Sequence, residues 1–215
     1  HHLSNDVLGV LFFVVSRDYD YVVRQIKKIY IKSVQISILF VGLKQALMQK
    51  AIFFDRDGVL NREIGDYVCK IDDFEILPDS VDCIKLAKDN GFMAIVVTNQ
   101  GGIDKDLYTP EELATFHNKL QLACQEQGTS IDDFYFCPHH PIKGKCLCRK
   151  PDSLMIEKAI AKYNLDPNLC LIIGDTDRDI QAGKKAGIHT LQIQPNTEKL
   201  RLLDEAIQQL KVAKV

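Results

Sequence analysis

Ala51-Ile52-Phe53-Phe54-Asp55-Arg56-Asp57-Gly58 is the stretch on which the fold turns. Its apolar run is continuous, short and rich in β-branched and aromatic residues, the pattern of a strand buried on both faces of a parallel sheet. The run stops at two acids, and Gly58 permits a turn that a side chain would resist. The same unit recurs downstream: Phe92–Val97 runs into Thr98-Asn99, and Leu169–Ile173 runs into Gly174-Asp175. Phe134–Phe136 and Thr190–Ile193 read as two further strands. Amphipathic segments lie between them. Thr109-Pro110-Glu111-Glu112 is a capping box with proline at the first helical position, opening a helix that Gly128 closes. Ser80–Asn90 ends at Gly91, and Asp177–Ala186 ends at Gly187. Strands alternating with helices predict an α/β domain built on one parallel sheet.

The chain has 215 residues, 46% of them apolar and 26% charged, enough for one full domain and an appendage. A net charge of −2 gives no electrostatic footprint for nucleic acid or for an anionic membrane. The apolar runs Val7–Val15 and Ser33–Leu43 fall short of the roughly 20 residues that cross a bilayer. No basic segment precedes Val7, so no secretory signal is expected. Charge divides the chain: residues 1–47 carry +3 and residues 48–215 carry −5. Met48 is the first methionine, and regular strand and helix punctuation begins just after it. Residues 1–47 are therefore expected to be an extension, and 48–215 the domain.

In an open α/β sheet, ligands bind beyond the carboxyl ends of the strands. Here those ends carry Asp55, Asp57, Thr98, Asn99, Asp175 and Asp179. Acids converging from separate strands repel one another, and a hard cation such as Mg²⁺ offsets that repulsion while leaving room for a substrate phosphate. One carboxylate of the Asp55–Asp57 pair is placed to attack phosphorus, the other to handle the leaving group's proton. Thr98 and Lys150 would add a hydroxyl and an ammonium aimed at phosphoryl oxygens. A second cluster follows: Cys137-Pro138-His139 and Cys146-Leu147-Cys148 supply three thiolates and one imidazole, a closed set for structural Zn²⁺ in a reducing compartment. Spacing leaves His139 and His140 as rival ligands. His117 and His189 read as packing or surface histidines, and Cys69, Cys83, Cys124 and Cys170 as small fillers.

These residues carry a resemblance. Asp55-Arg56-Asp57-Gly58-Val59-Leu60-Asn61 resembles the nucleophile motif of the haloacid dehalogenase (HAD) superfamily. Val97-Thr98-Asn99-Gln100-Gly101, Arg149-Lys150-Pro151 and Gly174-Asp175-Thr176-Asp177-Arg178-Asp179 resemble its later motifs, in family order. The resemblance implies a Rossmann-like three-layer fold without a cap domain. It implies that Asp55 forms an aspartyl-phosphate, that Asp57 is acid and then base, and that Thr98 and Lys150 hold the phosphoryl group. Mg²⁺ would sit on Asp55, the backbone carbonyl of Asp57, and Asp175, with Asp179 behind them. The C-x-H and C-x-C spacing is similar to the zinc pattern of one HAD branch, which favours His139. That branch contains D-glycero-D-manno-heptose-1,7-bisphosphate 7-phosphatases and histidinol-phosphate phosphatases. Asn61, Gly65-Asp66-Tyr67-Val68 and Asp73-Phe74-Glu75 are similar to segments of the heptose group. The resemblance thus implies a cytoplasmic, monomeric phosphatase of a small phosphorylated sugar on the way to nucleotide-activated heptose. Asn61, Asn99, Gln100, Gly101 and Arg149 are its expected substrate contacts, with Arg149 on a second anionic group. Histidinol phosphate is the alternative substrate. A phosphoaspartate receiver domain is a more distant alternative, disfavoured because Asp57 supplies chemistry for turnover.

Overall fold

The computed structural model describes residues 48–212, together with Arg24, Lys27, Lys28 and residues 30–32. The chain divides into a unit of residues His1–Leu47 and a unit of Met48–Val215. In the first, the described residues are helical. Val7–Val15 and Ser33–Leu43 lie outside the described residues.

In the second unit five parallel strands form one sheet: β1 (Ala51–Phe54), β2 (Met93–Asn99), β3 (Asp133–Cys137), β4 (Leu171–Gly174) and β5 (His189–Gln192), in the order β3-β2-β1-β4-β5. Around them lie α1 (Ser80–Asp89), α2 (Pro110–Glu126), α3 (Leu154–Tyr163), α4 (Asp177–Lys185) and α5 (Leu200–Val212). All four residues of β1 are fully buried, which is why its sequence is apolar without alternation. Ile52 and Phe54 face α1, α2 and α5 in one core, while Ala51 and Phe53 face α3 and α4 in the other. Two of these helices went unread in the sequence. Helix α3 closes on Asn164, in the left-handed region at φ 49°, where α1, α2 and α4 are followed by the glycines Gly91, Gly128 and Gly187. Helix α5 shows its face only through Leu203, Ile207 and Leu210.

The predicted cap of α2 is present. Thr109 Oγ1 accepts from the Glu112 backbone at 3.2 Å, and Glu112 Oε2 accepts from the Thr109 backbone at 2.7 Å. His117 is a packing histidine: its ring stacks on Phe134 at 4.4 Å, and burial drives its pKa down to about 3. Among the described residues no helix is long and apolar enough to cross a membrane.

The strand order sets the site. From β1 the chain moves to β2 and β3, then returns to the other side of β1 as β4. The carboxyl ends of β1 and β4 therefore flank a point where the winding reverses, the crevice in which such sheets bind ligands.

Candidate active site

Asp55 follows β1 and its carboxylate Oδ1 accepts from its neighbour's backbone, Arg56 N, at 2.7 Å. The same oxygen meets Lys150 Nζ at 2.8 Å. Lys150, 2% exposed, also pairs with Asp179 Oδ1 at 2.6 Å and donates to the carbonyl of Val97 at 2.7 Å. All three donor directions of the ammonium are thus used. Asp179 opens α4, where its other oxygen takes hydrogen bonds from Thr176 N at 3.0 Å and Thr176 Oγ1 at 2.6 Å.

Electrostatics follow from this crowding. Burial and the neighbouring Asp179 push the Asp55 carboxyl well above its ordinary range, against the pull of Lys150. Asp179 goes the other way: burial opposes its charge, but Lys150 and Thr176 hold it low. Lys150 is raised, because its two carboxylates outweigh the desolvation of its ammonium. Asp175, beyond β4, is pushed up to about 6 by burial and by Asp179. Its Oδ1 is buried and has no hydrogen-bond partner. Oxygens of Asp55, Asp175 and Asp179 lie within 4.8 Å of one another. Three carboxylates against one ammonium leave two negative charges uncompensated around an orphaned oxygen. A divalent hard cation fits that donor set. Gly58 makes the approach possible: it sits at φ +80°, and a Cβ there would come within 2.3 Å of Asp175 Oδ2.

Asp57 is held differently. Its carboxylate accepts from Arg56 Nη2 at 2.8 Å, from Asn61 Nδ2 at 3.0 Å and from Gln100 Nε2 at 2.8 Å. Burial works to raise it, yet the Arg56 guanidinium and these hydrogen bonds carry its carboxyl below the usual range. Arg56 is itself 2% exposed, with its guanidinium 5.5 Å and 5.9 Å from the rings of Phe74 and Phe116.

Asp55, Asp57, Thr98, Lys150, Asp175 and Asp179 all line one cavity of about 280 Å³. The expected substrate contacts divide. Arg149 lines the cavity, held by one hydrogen bond from Nη1 to the His139 carbonyl at 3.1 Å. Asn61 is fully buried, with its amide nitrogen turned to Asp57. Gln100, though at the wall, spends its amide hydrogens on Asp57 and Thr98. Asn99 spends its amide on the backbone of Lys150, accepting from its N–H and donating to its carbonyl, each at 3.0 Å. Gly101 lies beneath Arg149, where a Cβ would be 3.2 Å from Nη1. Arg178, which sequence reasoning passed over, also lines the cavity and has no ion-pair partner among the described residues. Its position at the first turn of α4, three residues past Asp175, was the available signal.

Next to Lys150 the four zinc candidates converge. Cys148 Sγ lies 3.2 Å from Cys137 Sγ and 3.7 Å from Cys146 Sγ, and His139 Nδ1 lies 3.3 Å from Cys148 Sγ. Edges near 3.8 Å are those of a tetrahedron with arms of about 2.3 Å, so the set fits a zinc ion. His140 stands outside it, its backbone N–H donating to Asp104 Oδ2 at 2.9 Å.

Known proteins resemble this chain in sequence and fold. A family model described as HAD-hydrolase-like matches residues 147–213. D-glycero-alpha-D-manno-heptose-1,7-bisphosphate 7-phosphatase of Photorhabdus laumondii is 37% identical over 145 residues, covering 65% of this chain and 79% of that protein. D-glycero-beta-D-manno-heptose-1,7-bisphosphate 7-phosphatase of Pasteurella multocida is 37% identical over 147 residues, 66% of this chain and 79% of that one. The crystal structure of D,D-heptose 1,7-bisphosphate phosphatase from B. bronchiseptica, complexed with magnesium and phosphate, superposes with a TM-score of 0.67 at 29% identity. That match covers 77% of this chain and 99% of that one. With its nucleophile-type Asp-Arg-Asp-Gly turn, its buried lysine and its strand-end acids in one crevice, the chain belongs to the HAD-like hydrolases, as a phosphatase of the haloacid dehalogenase superfamily.

Proposed function

We propose that this chain removes the 7-phosphate of D-glycero-D-manno-heptose 1,7-bisphosphate through a phosphorylated Asp55. The observation that carries the reading is the meeting of Asp55, Asp57, Thr98 and Lys150, from separate loops, at one cavity. An Asp55 oxygen bonds to phosphorus as the bond from phosphorus to the sugar oxygen breaks, and Asp57 gives that oxygen its proton. Asp57 then takes a proton from the water that attacks the acyl-phosphate, releasing phosphate and restoring Asp55. Arg56 keeps Asp57 ionised at rest. An incoming phosphoryl group adds negative charge beside Asp57 and raises its proton affinity, so Asp57 takes up a proton from solvent as the substrate binds and then has one to give the leaving oxygen. Lys150 and Thr98 stabilise charge on the phosphoryl oxygens. Asp55, the carbonyl of Asp57, and Asp175 would hold Mg²⁺, which supplies the positive charge that lets an anionic phosphate approach these acids.

A bisphosphate is favoured by the rim. Arg149, Lys150 and Arg178 line both the catalytic cavity and an adjoining one of about 640 Å³, which Lys145 also borders. Arg149 and Arg178 supply positive charge that a second phosphate would call for. Heptose bisphosphate is expected to show a kcat/KM at least about tenfold above histidinol phosphate, a difference of about 1.4 kcal/mol in transition-state binding. Steady-state kinetics on the two substrates checks this. The reverse ranking would move the chain to histidinol phosphate without touching the mechanism.

We further propose one Zn²⁺ per chain on Cys137, His139, Cys146 and Cys148, as a clip that seats Arg149 and Lys150. Such a thiolate set needs reduced cysteines, which agrees with a cytoplasmic enzyme, and each chain carries a complete site, so a monomer suffices. Chelating the zinc is expected to lower kcat/KM about ten- to a hundredfold by displacing the two basic residues. Elemental analysis finding no zinc, with unaltered kinetics in Cys146→Ser, would overturn the clip.

A further inference from the structure

A buried hydrogen-bond chain enters the site from the segment just before α2. Tyr108 Oη donates to Gln100 Oε1 at 2.6 Å. Gln100 Nε2 donates in turn to Asp57 Oδ2 and to Thr98 Oγ1, each at 2.8 Å. An ionised carboxylate only accepts, so Asp57 draws the amide nitrogen inward and leaves the amide oxygen facing out. That outward oxygen is where the Tyr108 hydroxyl arrives. Neither residue has freedom to wander: Tyr108 is 5% exposed and Gln100 is 2% exposed. The tyrosine ring lies against Gly102, where a Cβ would come within 2.3 Å of it, and meets Phe116 edge-on at 6.2 Å. The missing side chain at Gly102 is therefore what admits the ring, and the ring's packing fixes its hydroxyl.

We infer that Tyr108 is a positioning residue for the hydrolysis, holding Gln100 so that its amide presents Asp57 to the departing oxygen. The inference rests on the phosphatase reading above. Tyr108 acts on the reaction only through Gln100, and it makes a demand that general packing does not. Proton delivery by Asp57 matters most when the departing oxygen is strongly basic, as in a sugar, and least when it is a stable phenolate. Losing the tether should therefore penalise a sugar phosphate more than an aryl phosphate.

The test measures kcat/KM for heptose bisphosphate and for p-nitrophenyl phosphate, since kcat/KM covers the steps through loss of the leaving group. In Tyr108→Phe the sugar-to-aryl ratio is expected to fall about three- to tenfold, the span of one ordinary hydrogen bond. Gly102→Ala, which keeps the hydroxyl but displaces the ring, should move the ratio in the same direction. Gln100→Leu should lower it at least as far, and adding Tyr108→Phe to Gln100→Leu should lower it no further. Equal losses on both substrates, or a double variant whose losses add, would overturn the inference while leaving the phosphatase reading intact. Wild-type protein inert on both phosphates would overturn the reading itself, and the inference with it.

Discussion

Asp55→Asn is expected to yield folded protein whose turnover falls by at least about four orders of magnitude, the scale on which loss of a nucleophile is felt. The amide matches the carboxylate in shape but cannot form the acyl-phosphate. Stability should not fall with activity. Burial and Asp179 already push the Asp55 carboxyl well above its ordinary range, so a neutral group is the easier one to bury there. The variant should melt at or above the wild-type temperature in metal-free buffer, the exchange expected where a functional site is held against its own electrostatics. Paired melting curves and rates with Mg²⁺ check this. Substantial turnover in the purified variant would remove the covalent mechanism.

Lys150→Met is expected to damage both properties at once. Methionine fills similar volume, but Asp55 and Asp179 lose the ammonium that met them at 2.8 Å and 2.6 Å. Leaving buried carboxylates without their cation costs about 3–5 kcal/mol. For a domain of this size that is a fall in Tm of about 10 °C. Turnover should drop at least about a hundredfold, since a preorganised charge on the phosphoryl oxygens is gone. Adding Asp179→Asn should recover part of the Tm and none of the turnover. An unchanged Tm in Lys150→Met would mean that the buried pairing contributes little.

How much of this was legible beforehand depended on what each residue's signal reports. The strands announced themselves, because Ala51–Phe54 and Leu171–Gly174 are buried on both faces and carry nothing but apolar residues and a terminal glycine. β1 and β4 lie side by side in the sheet, which brings their terminal acids Asp55 and Asp175 together. Side-chain direction within the turns was not legible. Asn61 and Gln100 occupy motif positions that border the cavity in sequence, yet both turn toward Asp57 because an ionised carboxylate must find donors. Asn99 closes a ring with the backbone of Lys150, a contact across 51 residues that no local pattern encodes. Charges buried by long-range pairing were equally silent. Arg56 lies over two phenylalanines, and the fully buried Lys199 pairs with Asp79, although both residue types ordinarily mark surface. Cysteine and histidine spacing, by contrast, reports proximity directly, and the four residues of the zinc candidate do meet.

The proposed mechanism stands on the passage of phosphate through Asp55. Rapid acid quench during turnover, followed by borohydride reduction and peptide mass spectrometry, tests it most directly. A phosphoryl group is expected on the peptide bearing Asp55, with residue 55 converted to homoserine after reduction, and neither signal in Asp55→Asn. Full turnover with no modification at Asp55 at any quench time, or a phosphoryl group trapped on another side chain, would contradict it.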